Sequence, residues 1–176
     1  MKLPLAYYGH PVLRKKTERI NEINDELRQF VNDMIETMHA HNGIGLAAPQ
    51  VLRSIALFIT NVPTQNPDGT WTEGEACVYI NPKVLEISEE LVEVSEGCLS
   101  IPKLYGTLIR PSHVKFEATN LNGEQFSGEL SGLFAQNFFH ENDHLNGVLY
   151  IDRMKGKARQ ELEPRLRELK KKYHSS

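Results

Sequence analysis

From Asn24 to Asn42 the apolar residues fall at Leu27, Phe30, Val31, Met34, Ile35 and Met38. Steps of three and four keep one helix face apolar over three turns. Asn24 or Asp25 can cap the start of this helix, and Gly43 can end it. The next run, VLRSIALFI (Val51 to Ile59), is short, branched and apolar, and predicts a strand. NVPTQNPDGTWTEGE is full of turn formers and predicts an exposed loop from Asn61 to Glu75. CVYINPKVLEI and LVEVSEG are strand-like, with Pro82 expected to break the first or place it at an edge. HVKFEATNLNGEQFSGEL alternates at Val114, Phe116 and Ala118 and turns at Asn122-Gly123, which predicts a hairpin. A second helix opens at Ser131 or Gly132 and runs to about Asn146. A third carries Ala158, Leu162, Leu166, Leu169 and Tyr173 on one face. Pro164 either kinks it or starts a new helix within its first turn.

Helix, many strands, helix, helix is the order of an α+β fold. Length and composition support one domain over residues 1–176: 40% of residues are hydrophobic and 24% charged, and neither repeats nor a linker divide the chain. The opening MKLPLAYYGHPVLRKK lacks the apolar run of a signal peptide or membrane span, so the expected location is cytoplasmic, without membrane contact. In that setting Cys77 and Cys98 are expected as a buried or ligand cysteine rather than as a disulfide. Charge changes the picture at one place. Residues 153–176 hold nine Lys/Arg against three Glu, while the whole chain carries −3. That basic segment is either a solvated helix or a surface for an anionic partner such as RNA.

The candidate chemistry lies in NFFHENDHLNG, Asn137 to Gly147. His140 and His144 are four residues apart, so on a helix both imidazoles reach one ion from one face. Glu141 lies about 100° round from His140, close to such an ion without having to ligate it, as suits a general base. A third ligand is needed. Downstream, Asp152, Glu161, Glu163 and His174 have no convincing spacing. Upstream, SEGCLSIP places Cys98 between Gly97 and Leu99 at the end of a strand. A thiolate there completes a two-His, one-Cys site with an open fourth position, the catalytic rather than the closed structural pattern. The domain is thus expected to have antiparallel or mixed sheets around a central metal-binding helix, with a helix near each end. A third unusual stretch, NGIGLAAPQV, packs small residues around a single polar group, Gln50.

GIGLAAPQ, EGCLS and HENDHLNG, in that order, together resemble the peptide deformylase family, of the bacterial type with a C-terminal helix. The flanks YYGHPVLR, IRP and GVLYIDR extend the resemblance over nearly the whole chain. The resemblance implies hydrolysis of the formyl group from N-formylmethionyl nascent peptides, with release of formate. It implies one divalent metal on Cys98, His140 and His144: usually Fe²⁺, with Ni²⁺ or Co²⁺ as good substitutes and Zn²⁺ a poorer one. Metal-bound water would attack the formyl carbon. Glu141 would take its proton and pass it to the leaving amine, while the Gln50 amide and the Leu99 backbone N–H would stabilise the oxyanion. The substrate would lie extended along Ile44, Gly45 and Gly97 as an added strand. Its methionine would meet Leu133, Gln136 and Asn137. Glu96, Arg110 and Asp143 would position the ligands. The basic segment would contact the ribosome.

One departure stands out. Where the family usually has glutamine before the first histidine, this chain has Phe139, expected in the core behind the site. Two other readings are weighed. An aminopeptidase-like His-Glu-x-x-His hydrolase would take its third ligand downstream, and a non-catalytic relative would lack a ligand, Glu141 or Gln50; all of these are present.

Overall fold

A computed structural model describes residues 1–174. The last two residues of the basic segment, Ser175 and Ser176, lie outside the described residues. Helix α1 spans Asp25–Ala40. The Asn24 side chain caps it by accepting from the Leu27 N–H at 2.9 Å. At the far end Asn42, not Gly43, takes the left-handed conformation (φ 55°), and the Gly43 N–H closes the helix on the Met38 carbonyl.

Strand β1 (Gly45–Ala47) leads into a 3-10 turn at Ala48–Val51, and β2 covers Leu57–Thr60. The strand expected from Val51 therefore begins only at Leu57. Val51 closes the turn and Leu52 is left-handed (φ 69°), so the chain cannot extend there. Within the predicted loop a small hairpin forms, β3 (Thr64–Gln65) with β4 (Trp71–Thr72), and its strand residues are exposed. Strand β5 (Cys77–Ile87) continues through Pro82 instead of breaking. Asn81 (φ 49°) absorbs the irregularity, the register slips between Ile80 and Lys83, and the Asn81 amide bonds both backbone groups of Ile20.

Strands β6 (Leu91–Cys98) and β7 (Ile101–Pro111) form a separate two-stranded sheet. The hairpin expected around Asn122-Gly123 is β8 (His113–Thr119) and β9 (Gln125–Ser131), with Gly123 left-handed at the turn. The main sheet runs β1-β2-β5-β8-β9, antiparallel throughout. Helix α2 spans Gly132–Leu145. Helix α3 spans Gly156–Tyr173 and passes through Pro164 as one element.

Strand alternation explains the layering. Leu57 and Ile59 of β2 pack with Phe30, Met34 and Met38 of α1. Phe58, between them, faces the other way and joins Tyr79, Phe116 and Phe138 of α2. The sheet is thus covered on both faces, and all four β2 residues are buried. A third cluster packs Ile101, Leu104 and Leu108 of β7 against Leu149, Tyr150 and Ile151 and against Leu166 of α3. Helix α2 lies between the main sheet and the β6–β7 hairpin, which brings it alongside the last residue of β6. Among the described residues no helix is long and apolar enough to cross a membrane.

Candidate metal centre

Helix α2 presents His140 and His144 one turn apart, their ring centroids separated by 5.1 Å. The β6–β7 register slips between Gly97 and Cys98, and the resulting turn carries the thiol toward α2. Cys98 Sγ lies 3.4 Å from His144 Nε2. One donor atom from each of Cys98, His140 and His144 lies within 4.8 Å of the others, and no other such group of three is found among the described residues. Of the downstream candidates, Asp152 is engaged with Arg14 and Glu163 with Arg159.

Glu141 is 3% exposed, and its Oε1 has no hydrogen-bond partner among the described residues. Burial pushes its carboxyl up to about 7, against the pull of His140. Gly45 of β1 leaves it room, since a Cβ there would come within 2.5 Å of Glu141 Oε2 and 2.7 Å of Asn137 Oδ1. Gln50 is buried in the 3-10 turn after β1. Its Oε1 accepts from the Ala47 N–H at 2.9 Å, which turns its Nε2 toward Ser100 Oγ (3.2 Å) and Cys98 Sγ (3.4 Å).

Cys98, His140, Glu141 and Gln50 open onto one cleft of about 670 Å³. Ile44 and Gly45, Gly97 and Leu99, and Leu133, Gln136 and Asn137 of α2 all line it. Two of these α2 residues already have structural partners. The Asn137 amide donates to the Ile44 carbonyl at 2.8 Å, tying α2 to the start of β1. Gln136 donates to the Ser95 carbonyl at 3.0 Å. Glu96, 6% exposed, faces the back of the centre. Its Oε1 lies 2.7 Å from His140 Nδ1, and Arg110 binds both its oxygens at 2.5 and 2.8 Å. Burial alone would raise the Glu96 carboxyl. The hydrogen bonds from Arg110 and His140 outweigh it and hold the group at about 2. Burial and the neighbouring His140 lower His144 well below its ordinary value, so it stays neutral with a free electron pair.

Behind Glu96 the chain of charges continues. Arg110 Nη1 donates to Asp143 Oδ2 at 3.0 Å, and Arg153 grips both Asp143 oxygens at 2.6 and 2.8 Å. Arg153 is the residue that sequence reasoning missed. It closes the GVLYIDR flank, but nothing in its spacing points to Asp143.

The family model described as polypeptide deformylase matches residues 2–160. The chain belongs to the polypeptide deformylase family. Its similarity to individual deformylases is long and even. The rice chloroplastic peptide deformylase 1B is 40% identical over 174 residues, which is 99% of this chain. That alignment spans 63% of the rice protein, so the chain covers less than two thirds of that relative's length. The crystal structure of a plant peptide deformylase superposes with a TM-score of 0.89 at 41% identity, over 97% of this chain and 90% of that one. A class I type b peptide deformylase from Acinetobacter baumannii, bound to Met-Ala-Ser, gives 0.81 at 35% identity, over 88% of this chain and 99% of that one. Against this deformylase background, Phe139 is 9% exposed and packs in the α2–sheet cluster, its ring edge-on to Phe138.

Proposed function

We propose that this protein hydrolyses the formyl group from N-formylmethionyl nascent peptides and releases formate. The observation that carries this reading is the convergence of Cys98, His140, Glu141 and Gln50 on one cleft, with His144 grouped beside Cys98 and His140. Family membership and the Met-Ala-Ser-bound relative, which holds a tripeptide beginning with methionine, support it.

The donor set fits a divalent ion held by Cys98, His140 and His144. His140 turns Nδ1 to Glu96, leaving Nε2 for an ion, and the buried Glu96 supplies negative potential behind it. A thiolate with two imidazoles suits late first-row ions, with Fe²⁺ proposed as the native one. When bound, the ion supplies Lewis acidity and brings the pKa of water from about 15.7 toward about 7. Glu141 takes the proton from the attacking water and delivers it to the departing amine nitrogen. The water oxygen first bonds to the formyl carbon as the C=O electrons move onto oxygen, and collapse of the resulting tetrahedral oxyanion breaks the formyl C–N bond and releases formate. A carboxyl held at about 7 can accept and return a proton near neutrality. The Gln50 Nε2–H and the Leu99 N–H donate to the oxyanion. The peptide runs as an added strand along Ile44, Gly45 and Gly97, so main-chain bonds accept many protein N-termini. The methionine side chain sits against Ile44 and Leu133, with Gln136 and Asn137 at the rim. Glu96, Arg110 and Asp143 hold His140 and α2 in place.

The test is formate release from formyl-Met-Ala-Ser by anaerobically purified protein, alongside Glu141→Ala. Release by the wild type and its loss in the variant are expected. No release with Fe²⁺ or Ni²⁺ bound overturns the reading. The same proposal places the enzyme in the cytoplasm, unlike the chloroplastic rice relative, and gives α3 a ribosome contact through its exposed basic residues.

A further inference from the structure

Arg153 lies outside the cleft, yet four charge contacts join it to a proposed metal ligand. Arg153 holds Asp143, Arg110 joins Asp143 to Glu96, and Glu96 touches His140 Nδ1. Signs alternate along this path, so each carboxylate meets an arginine. Asp143 is the hinge of the arrangement. Its side chain is 11% exposed, and its backbone carbonyl accepts from the Asn146 and Val148 N–H groups where α2 stops. A shift of Asp143 therefore moves the helix end that carries His144 next door and His140 one turn back.

The donor is itself anchored. Arg153 follows the 3-10 turn Tyr150–Asp152, whose Asp152 is clamped by Arg14 and whose Tyr150 hydroxyl donates to the Leu104 carbonyl. The Tyr150 ring stacks on His140, with centroids 6.2 Å apart. One short turn thus reaches His140 twice, by the Tyr150 ring and by the Arg153 charge path. Without Arg153, Asp143 would keep a single 3.0 Å bond to Arg110 and compete with Glu96 for that guanidinium.

We infer that Arg153 is a positioning residue: through Asp143, Arg110 and Glu96 it fixes His140, and so sets how long the Cys98–His140–His144 centre retains its metal. The inference rests on the metal reading above. Groups that touch a ligand typically change metal affinity about 10- to 100-fold, and Arg153 acts from further out, so about three- to tenfold is expected.

The test uses Co²⁺-loaded full-length protein. Loss of the ion to excess chelator is followed by the thiolate–cobalt absorption, and the unfolding midpoint of each metal-free variant is measured in parallel. Arg153→Met should release Co²⁺ about three- to tenfold faster than wild type. Arg153→Lys should fall between them, because an ammonium cannot make the two-pronged contact. Arg153→Met with Asp143→Asn should release no faster than Asp143→Asn alone. Wild-type release from Arg153→Met, or multiplying effects in the double variant, overturns the inference. So does release that tracks only the unfolding midpoint across the series. Should Arg153→Met not fold, Arg153→Lys releasing at the wild-type rate overturns it equally. A wild type without a thiolate–cobalt band removes the metal reading and this inference with it. A normal band with equal rates removes the inference alone.

Discussion

Gln50 has one amide oxygen committed to the Ala47 N–H, so its NH₂ has no freedom to turn away from Cys98. Gln50→Ala removes a neutral donor that is already oriented. Deleting such donors elsewhere lowers kcat by roughly 100- to 1000-fold. We expect a loss of that order in formate release, with KM little changed and bound metal retained; a large rise in KM at constant kcat would place Gln50 in substrate binding instead. Phe139 makes the opposite case. Its neighbours are apolar, so Phe139→Gln puts an amide where no partner waits, at a cost of about 1–3 kcal/mol. Urea unfolding of the two proteins measures it, and equal stability would mean that the pocket can satisfy an amide. At this scale the sequence was informative. Type, spacing and the family resemblance marked Cys98, Glu141 and Gln50 as candidates, and all three line the one cleft. Arg153 was not legible, because an arginine that pairs with a carboxylate ten residues back looks like any solvated one until the fold closes.

Elements divide by how much tertiary context they need. Helices α1 and α2 and the β8–β9 hairpin follow from local rules: periodicity, an Asn cap and an Asn-Gly turn. Strand β7 does not. Its exposed face carries Tyr105 and Ile109, while the buried Arg110 points inward, so the polar–apolar pattern inverts where it should mark a strand. Pro82 misled for the mirror reason, since the neighbouring Asn81 absorbs a slip that periodicity cannot show. The 3-10 turn Tyr150–Asp152 carries a prediction of its own. Burial alone would raise the Asp152 carboxyl, but the hydrogen bonds from Arg14 and the Leu149 N–H lower it below its ordinary 3.8. The stability it contributes is therefore fully present above that value and is lost as pH falls through the lower folded one. The advantage of wild type over Asp152→Asn in denaturant should be constant near neutrality and shrink below pH 3.8. An advantage independent of pH would show that the carboxylate charge is not what matters.

For the whole molecule, the site is a product of closure. The two histidines come from one helix, Cys98 from a hairpin of a different sheet, and Gln50 from the turn that follows the main sheet's edge strand. Helix α3 joins that closure through Leu162, Leu166 and Leu169, so its basic residues cannot be tested by deletion without opening the core. Charge reversal is cleaner. Lys157, Arg165 and Lys171 are exposed on α3, and changing all three to Glu should abolish salt-sensitive co-sedimentation with ribosomes while tripeptide deformylation is kept. Unchanged co-sedimentation would remove α3 from ribosome binding.

The β3–β4 hairpin stands apart from all of this. Its tip at Asp68-Gly69 is exposed, and a Cβ built on Gly69 would meet nothing within 4 Å. The N-terminal amine, by contrast, is held by Asp33 and Glu36 on α1. A reporter domain or affinity peptide spliced in at Gly69 would thus sit on a free promontory, leaving the anchored N-terminus and the basic α3 as they are. The hairpin is the natural handle by which this protein could be tethered to a surface or watched in a living cell.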